Sequence, residues 1–339
     1  MRHLTGATAL VLALTLAACA TTAGPPTTPS APTRAAAPTA GTGSSTVSTT
    51  TCGVTAEFDQ PVERIVSIKS SVTEAVVALG AADRLVGVAA LDGPLPAHVT
   101  GVDDSAWEVT LPVIAERVPS FEAVAELEPD AVLAGWESNL SADGAGERAM
   151  WADLGVPTWV SPSACRDPHL QPEKLSFDDV FAEIRTLGHV LGEDDAAARL
   201  VAAQRAALAG TEEATAPLRA LWWSSGTDTP FVGAGIGAPQ LVMETAGLVN
   251  IAADIRDTWT SMSWEEVAAR APDVIVLVDS SWNTAAHKRE ALAANPVTAA
   301  LDAVVHERYL VVPFPATESG VRTADAALAL RAQLAEVAP

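Results

Sequence analysis

From about residue 60 onward, short apolar runs alternate with stretches whose apolar residues recur every three or four positions. Arg64-Ile65-Val66-Ser67-Ile68, Arg84-Leu85-Val86-Gly87-Val88, Ala131-Val132-Leu133-Ala134-Gly135 and Thr158-Trp159-Val160 read as buried strands. In the second half, Ala220-Leu221-Trp222-Trp223, Val274-Ile275-Val276-Leu277-Val278 and Tyr309-Leu310-Val311-Val312 read the same way. Ser71-Val72-Thr73-Glu74 has the form of a capping box, predicting a helix that ends at Leu79-Gly80. Phe177, Val180, Phe181, Ile184, Leu187, Val190 and Leu191 fall on one face of a helix capped by Ser176 and stopped at Gly192. This helix joins the two halves, and a second, from Ala196 to Leu208, leads into the latter one. Strand–helix alternation in each half predicts an α/β fold with a mostly parallel sheet on either side of the connection.

An internal repeat supports two lobes of similar build. Ser120-Phe121-Glu122, Val124 and Pro129-Asp130 recur as Ser263-Trp264-Glu265, Val267 and Pro272-Asp273, at a constant offset of 143 residues. In each copy Ser caps a short helix, Glu stands in its first turn, Pro-Asp ends it and an apolar strand follows.

The beginning of the chain follows other rules. Arg2 and His3 precede the apolar run Leu10–Leu16, which is too short to cross a bilayer and ends in Ala17-Ala18-Cys19, the pattern of a signal peptide. Leu16-Ala17-Ala18-Cys19 resembles a bacterial lipobox, which implies that Cys19 becomes the lipid-modified first residue of the mature chain. Ala20 to Thr50 is Ala, Thr, Pro, Gly and Ser but for Val47 and a single charge at Arg34, a tether by composition. Residues 51–339 hold all 42 acidic side chains against 18 basic ones, a formal charge of −24 that disfavours nucleic acid and anionic membrane surfaces. Cys52 and Cys165 remain. In an exported protein they can pair, tying the start of the folded part to its middle, or stay as two buried thiols. The expected division is signal peptide 1–18, lipid-anchored Cys and linker 19–50, N-terminal lobe 51–172, interlobe helix 173–192 and C-terminal lobe 193–339.

The order Arg64-Ile65-Val66-Ser67, Thr73-Glu74, Ala78-Leu79-Gly80, Asp83–Val88, Ser120-Phe121-Glu122 and Glu128-Pro129-Asp130 resembles the iron-siderophore, haem and cobalamin group of substrate-binding lipoproteins that feed ABC importers. The resemblance implies two Rossmann-like lobes bridged by a single long helix, a ligand cleft between them, and little movement on closure. It also implies that Glu122 and Glu265, one per lobe, dock on the two subunits of a permease dimer. A helix-terminal carboxylate is also favoured by the helix dipole alone, by about 0.3–1 kcal/mol.

Ligands of such sheets sit beyond the carboxyl ends of the strands. Lys69-Ser70-Ser71 follows the first strand, where the family more often carries a Ser-Pro-Ser type of sequence. A Lys beside a helix N-terminus suits a phosphate or carboxylate. Trp136, Ser225, Thr227 and Trp282 lie on other post-strand loops, and Arg322 matches an Arg near the last helix of many family members; Arg166 and Arg256 are further candidates. Nine Trp against one Tyr provide stacking surfaces for a flat ring, with core packing claiming about half of them. The stretches Trp222–Gln240, Ala246–Ala252 and Asp257–Met262 look like the actinobacterial subgroup proposed to import F420-0, the phospholactyl deazaflavin precursor of coenzyme F420. A ferric siderophore, haem or cobalamin remains the alternative ligand, and a cell-surface adhesion module the alternative class.

Enzymatic readings are weaker. Gly233-Ala234-Gly235-Ile236-Gly237-Ala238 with Asp254 imitates a dinucleotide fingerprint, but no second strand ends at Asp254. No Gly-x-Ser-x-Gly elbow occurs, and the His residues lack metal-ligand spacing. Ligation of haem iron by a single His or by Tyr309 stays open. The sequence therefore reads as a non-enzymatic capture protein needing no cofactor and no metal, partnered by a permease and a small molecule and held to the membrane only by its lipid.

Overall fold

The computed structural model describes residues 45–210 and 217–337. The signal peptide, Cys19 and the tether as far as residue 44 lie outside the described residues. The first described element corrects the expected end of the linker: β1 (Ser45–Thr51) pairs antiparallel with β2 (Val54–Gln60). Its Ser/Thr-rich composition hides a strand in which Val47 faces Phe58, both buried. The hairpin turns on Cys52-Gly53, both at positive φ (48° and 75°), the geometry of a two-residue I′ turn.

In the first lobe the chain runs β3 (Ile65–Ile68), α1 (Ser70–Ala78), β4 (Leu85–Ala89), β5 (Val113–Ala115), α2 (Phe121–Ala125), β6 (Ala131–Ala134), α3 (Arg148–Asp153) and β7 (Thr158–Val160). The sheet is parallel throughout, in the order β5-β4-β3-β6-β7. Wholly buried β3 and β6 at its centre account for their uninterrupted apolar sequence. Helix α1 starts differently from the expected capping box. Its N-cap is Lys69, at φ 90° and without a side-chain cap, while Ser71 lies inside the first turn. Glu74 faces Arg322 of the second lobe instead of the helix terminus.

Helices α4 (Phe177–Leu191) and α5 (Asp194–Ala209) connect the lobes, followed by β8 (Leu218–Ser225), β9 (Phe231–Gly233), α6 (Ala238–Ala246), β10 (Leu248–Asn250) and β11 (Trp259–Ser261). The second lobe is completed by α7 (Trp264–Arg270), β12 (Val274–Asp279), α8 (Ala285–Ala294), α9 (Asp302–Val305), β13 (Tyr309–Pro313) and α10 (Thr323–Val337). Strand order is β11-β9-β8-β12-β13, with β10 also on β8. Strands β8, β10, β12 and β13 are parallel, whereas β9 and β11 add an antiparallel edge absent from the sequence reading. The Gly-rich segment 233–238 thus follows an antiparallel strand, unlike a dinucleotide fingerprint, and Asp254 is paired with Arg270.

The connection is two consecutive helices, as the stop at Gly192 and the second helical stretch predicted, in place of the single long helix that the resemblance implied. A Ser176–Asp179 capping box opens α4, and Gly192 closes it at φ 72°, where a side chain would be strained. Helix α4 packs on β1, β2 and α1, whereas α5 packs on α4 and α10 and carries the chain across. One apolar core extends through this junction, from Val76, Phe181 and Leu187 to Leu200, Leu241 and Val321.

The 143-residue repeat is visible as a repeated clamp. Ser120 accepts from the Ala123 amide (3.3 Å) and Ser263 from that of Glu266 (3.1 Å). Asp130 accepts from the amides of Glu63 and Arg64 (both 2.9 Å), and Asp273 from that of Arg219 (2.8 Å). Arg64 donates to the carbonyls of Glu128 and Leu127, Arg219 to that of Arg270, satisfying helix-end carbonyls that lack intrahelical partners. Even the left-handed residue recurs, at Glu128 (φ 46°) and Ala271 (φ 44°).

Candidate ligand cavity between the lobes

The carboxyl ends of the parallel strands in both sheets open into a cavity of about 570 Å³ between the lobes. From the first lobe, the loop after β6 contributes Trp136, and the loop after β7 contributes Ser161, Ser163 and Arg166. The second lobe contributes Ser224 and Ser225 at the end of β8, Trp282 after β12, and Phe314 with Thr317–Ser319 after β13. Phe231 stacks on Trp259 (centroids 5.6 Å apart, planes 14° apart), while Trp282 meets Phe314 edge-on at 5.0 Å. Trp136, Trp259, Trp282, Phe231 and Phe314 therefore give the cavity aromatic surfaces in both lobes. Trp151, Trp159, Trp222, Trp223 and Trp264 are buried in the lobe cores, so the Trp residues do divide between packing and cavity.

Of the residues singled out in the sequence, Trp136, Ser225 and Trp282 line the cavity, and Lys69, Ser70, Thr227 and Arg322 do not. Lys69 is 5% exposed. Its ammonium pairs with Asp92, lies 3.4 Å from Glu318 Oε1 and sits 3.9 Å from the centroid of the Trp136 ring. The expectation of an available cation at this loop is corrected accordingly: two carboxylates and an aromatic face already occupy its charge. Gly135 permits this packing, since a Cβ there would come within 2.8 Å of Lys69 Cβ and 2.6 Å of Ser71 Oγ. Ser70 is fully buried and accepts from the Asp92 amide. Thr227 is exposed beyond the cavity, its carbonyl accepting from Trp264 Nε1 (2.7 Å).

Arg322 is likewise committed elsewhere. Its guanidinium grips Glu74 two-fold (Nε–Oε2 2.6 Å, Nη2–Oε1 2.5 Å) and donates to the Pro94 carbonyl (2.8 Å), so it clasps lobe to lobe. Burial pushes the Glu74 carboxyl up, and Arg322 acts against that rise. Thr100 and Asp325 add a second clasp, through the Thr100 amide (2.9 Å) and hydroxyl (2.5 Å). Arg166, exposed at the rim, is the basic side chain on the cavity lining. Arg256 lies on a separate surface depression with Glu173 and Lys174.

The inner wall is acidic. Glu318 lines the cavity, and burial pushes its carboxyl up to about 7 against the opposing charge of Lys69, with Asp92 adding to the rise. Glu183 on α4 is also raised to about 7 by burial; hydroxyls of Ser161 and Ser319 oppose the shift and Glu318 adds to it. Ser319 Oγ donates to Glu183 across the lobes at 3.1 Å. Neither carboxyl stands in a motif that singles it out as a ligand contact, although Glu318 ends the post-strand loop 314–318; only the fold brings residues 135 positions apart together. At the mouth, Cys52 and Cys165 form a disulfide that fixes the hairpin turn to the loop after β7, resolving the choice between a bond and two thiols.

A family model described as periplasmic binding protein matches residues 65–316. The chain belongs to that family. An uncharacterized ABC transporter substrate-binding lipoprotein of Bacillus subtilis strain 168, YvrC, is 27% identical over 269 residues, covering 77% of this chain and 76% of the relative. Among solved structures, a periplasmic binding protein from Veillonella parvula superposes with a TM-score of 0.73 at 24% identity, covering 86% of this chain and 98% of that one. An ABC-type Fe3+-hydroxamate transport system protein from Saccharomonospora viridis gives a TM-score of 0.69 at 26% identity, covering 85% and 98%. The expected two-lobed α/β architecture is that of these structures.

Glu122 and Glu265, the periplasmic binding protein's candidate docking pair, are both exposed in the first turns of α2 and α7. Hydrogen bonds from the Glu122 amide and from Ser120 hold the Glu122 carboxyl below the usual carboxylate range, so it stays charged.

Proposed function

We propose that the protein is the extracytoplasmic, lipid-anchored substrate-binding component of an ABC importer, capturing a flat conjugated small molecule between its lobes. Support for transport comes from the family and from the name of the Bacillus relative. The aromatic lining carries the ligand reading: Trp136, Trp259, Trp282, Phe231 and Phe314 offer ring faces and edges around one cavity. Glu122 and Glu265 then present one acidic knob per lobe to the two subunits of the permease.

F420-0 is the favoured ligand. Its deazaflavin ring suits the aromatic surfaces, and its phosphodiester and carboxylate ends suit Arg166 at the rim, in place of the buried Lys69 and Arg322. Haem is the second reading, but no His, Tyr or Met is among the residues lining the cavity to bind its iron, and Tyr309 is buried in the second-lobe core. Titration with F420-0, haemin, a ferric hydroxamate and cobalamin, read by Trp fluorescence and thermal shift, tests the proposal. A ligand at 100 times its Kd adds about 2.7 kcal/mol to stability, well within reach of a melting curve. Selective binding of F420-0 supports the reading; preference for haemin or ferric hydroxamate refutes the choice of ligand, and the absence of any binding refutes capture.

A further inference from the structure

Three buried polar atoms at the cavity wall have no hydrogen-bond partner of good geometry among the described residues: Thr317 Oγ1 and both carboxyl oxygens of Glu318. Thr317 is 3% exposed and the Glu318 side chain 9%, and both residues line the cavity. A polar atom buried without a well-formed hydrogen bond is costly, more so when it is charged, so three on two consecutive residues at one wall point to a group that arrives from outside. Neighbouring protein groups meet the demand only in part: Lys69 stands 3.4 Å from Glu318 Oε1 while its ammonium pairs with Asp92, the Ser71 hydroxyl lies beside the Glu318 carboxyl, and Ser319 turns its hydroxyl to Glu183.

We propose that Thr317 and Glu318 form a polar floor that reads the N–H edge of a flat heterocycle, an imide or amide of the kind a pyrimidinedione ring presents. The inference rests on the flat-ring reading above and adds the chemistry of the edge that enters first. A carboxylate takes the ring N–H and a hydroxyl, able to donate or accept, takes the adjoining carbonyl or a second N–H. Burial raises the Glu318 carboxyl to about 7 in spite of Lys69 and Ser71 beside it, and above that pH a ligand N–H adds a donor to the carboxylate. The apolar faces of the same ring are left for Trp136 and the Phe231–Trp259 pair. The geometry selects among flat molecules. A porphyrin, whose periphery carries no N–H, brings the carboxylate no donor, and sites with buried polar groups reject analogues that fail to satisfy them.

Riboflavin, whose isoalloxazine has an imide N–H at N3, and its 3-methyl derivative are the probes, with protoporphyrin IX as a flat ring lacking the edge. Binding is followed by quenching of Trp and flavin fluorescence. Wild-type protein is expected to bind riboflavin about 10- to 100-fold more tightly than 3-methylriboflavin, the range for a hydrogen bond to a charged group. Glu318→Met, similar in length and without an acceptor, is expected to erase the preference; Thr317→Val, a smaller change, reduces it and keeps the test open should the first variant fail to fold. Equal binding of both flavins by the wild type overturns the polar floor while leaving the flat-ring cavity intact. Tighter binding of protoporphyrin IX than of riboflavin also overturns it. Binding of none of the three removes the flat-ring reading and this inference together.

Discussion

Replacing Glu318 by Gln probes the acidic wall without any ligand. In the folded protein burial pushes this carboxyl up to about 7, against 4.5 for a free glutamate. Between those two values the folded state holds a proton that the unfolded chain has released. The contribution of Glu318 to folding is therefore most favourable below about pH 4.5, declines as pH rises toward 7, and is constant beyond. At about 1.4 kcal/mol per pKa unit the full decline is roughly 3 kcal/mol. Gln keeps the shape and has no proton to release, so its stability lacks this decline. Urea unfolding of wild type and Glu318→Gln at pH 5 and pH 8 measures the effect, and their difference cancels the pH response of the remaining charges. The variant should gain about 2–3 kcal/mol on the wild type between the two pH values. Identical pH profiles would show that the Glu318 carboxyl is not held protonated by burial, refuting the electrostatic description of the wall.

Glu183→Gln should shift the pH profile in the same direction, because burial raises that carboxyl as well, and chemical denaturation at the same two pH values checks it. Arg322→Ala leaves Glu74, 1% exposed, as an uncompensated buried charge and should cost about 3–5 kcal/mol, with much of it recovered in Glu74→Gln/Arg322→Ala; thermal melts of the two variants decide. Converting Cys52 and Cys165 to Ser opens a link spanning 113 residues, for which chain entropy predicts a loss of about 4.8 kcal/mol, read as the urea-unfolding difference from the oxidised protein. Reversing both Glu122 and Glu265 to Lys should abolish uptake into cells while ligand titrations of the purified protein stay unchanged, and normal uptake would remove the docking role.

Whatever local physics controls is legible in the order of residues. Strands buried on both faces must be apolar, so β3, β4, β6, β7, β8, β12 and β13 are legible as runs. The Ser caps and the Asp130 and Asp273 clamps act within a few residues of a turn, so they survive as a repeat in the sequence. Strands with weak or mixed patterns were not legible. The hairpin β1–β2 is masked by Ser and Thr, and β9 to β11 are three residues each, stabilised by neighbours rather than by their own pattern. Cavity aromatics such as Trp136 and Trp282 follow from their place after a strand, which the chain order alone supplies.

Charge at the site is different, because a side chain's availability depends on partners distant in sequence. Lys69 resembles an anion site until Asp92 and Glu318 are brought against it, and Arg322 resembles a ligand contact until Glu74, 248 positions away, takes its guanidinium. Glu318 gives no local signal beyond its place on the loop after β13: its carboxyl is raised by burial, and the groups that act on it, Lys69, Asp92 and Ser71, are distant in sequence. Sequence by itself thus determined the two-lobed plan and the loops that face the cleft, through periodicity and capping. Only the tertiary structure decided which of those charges are already neutralised and which buried oxygens still await a donor, since ion pairing and desolvation depend on three-dimensional proximity rather than on order along the chain.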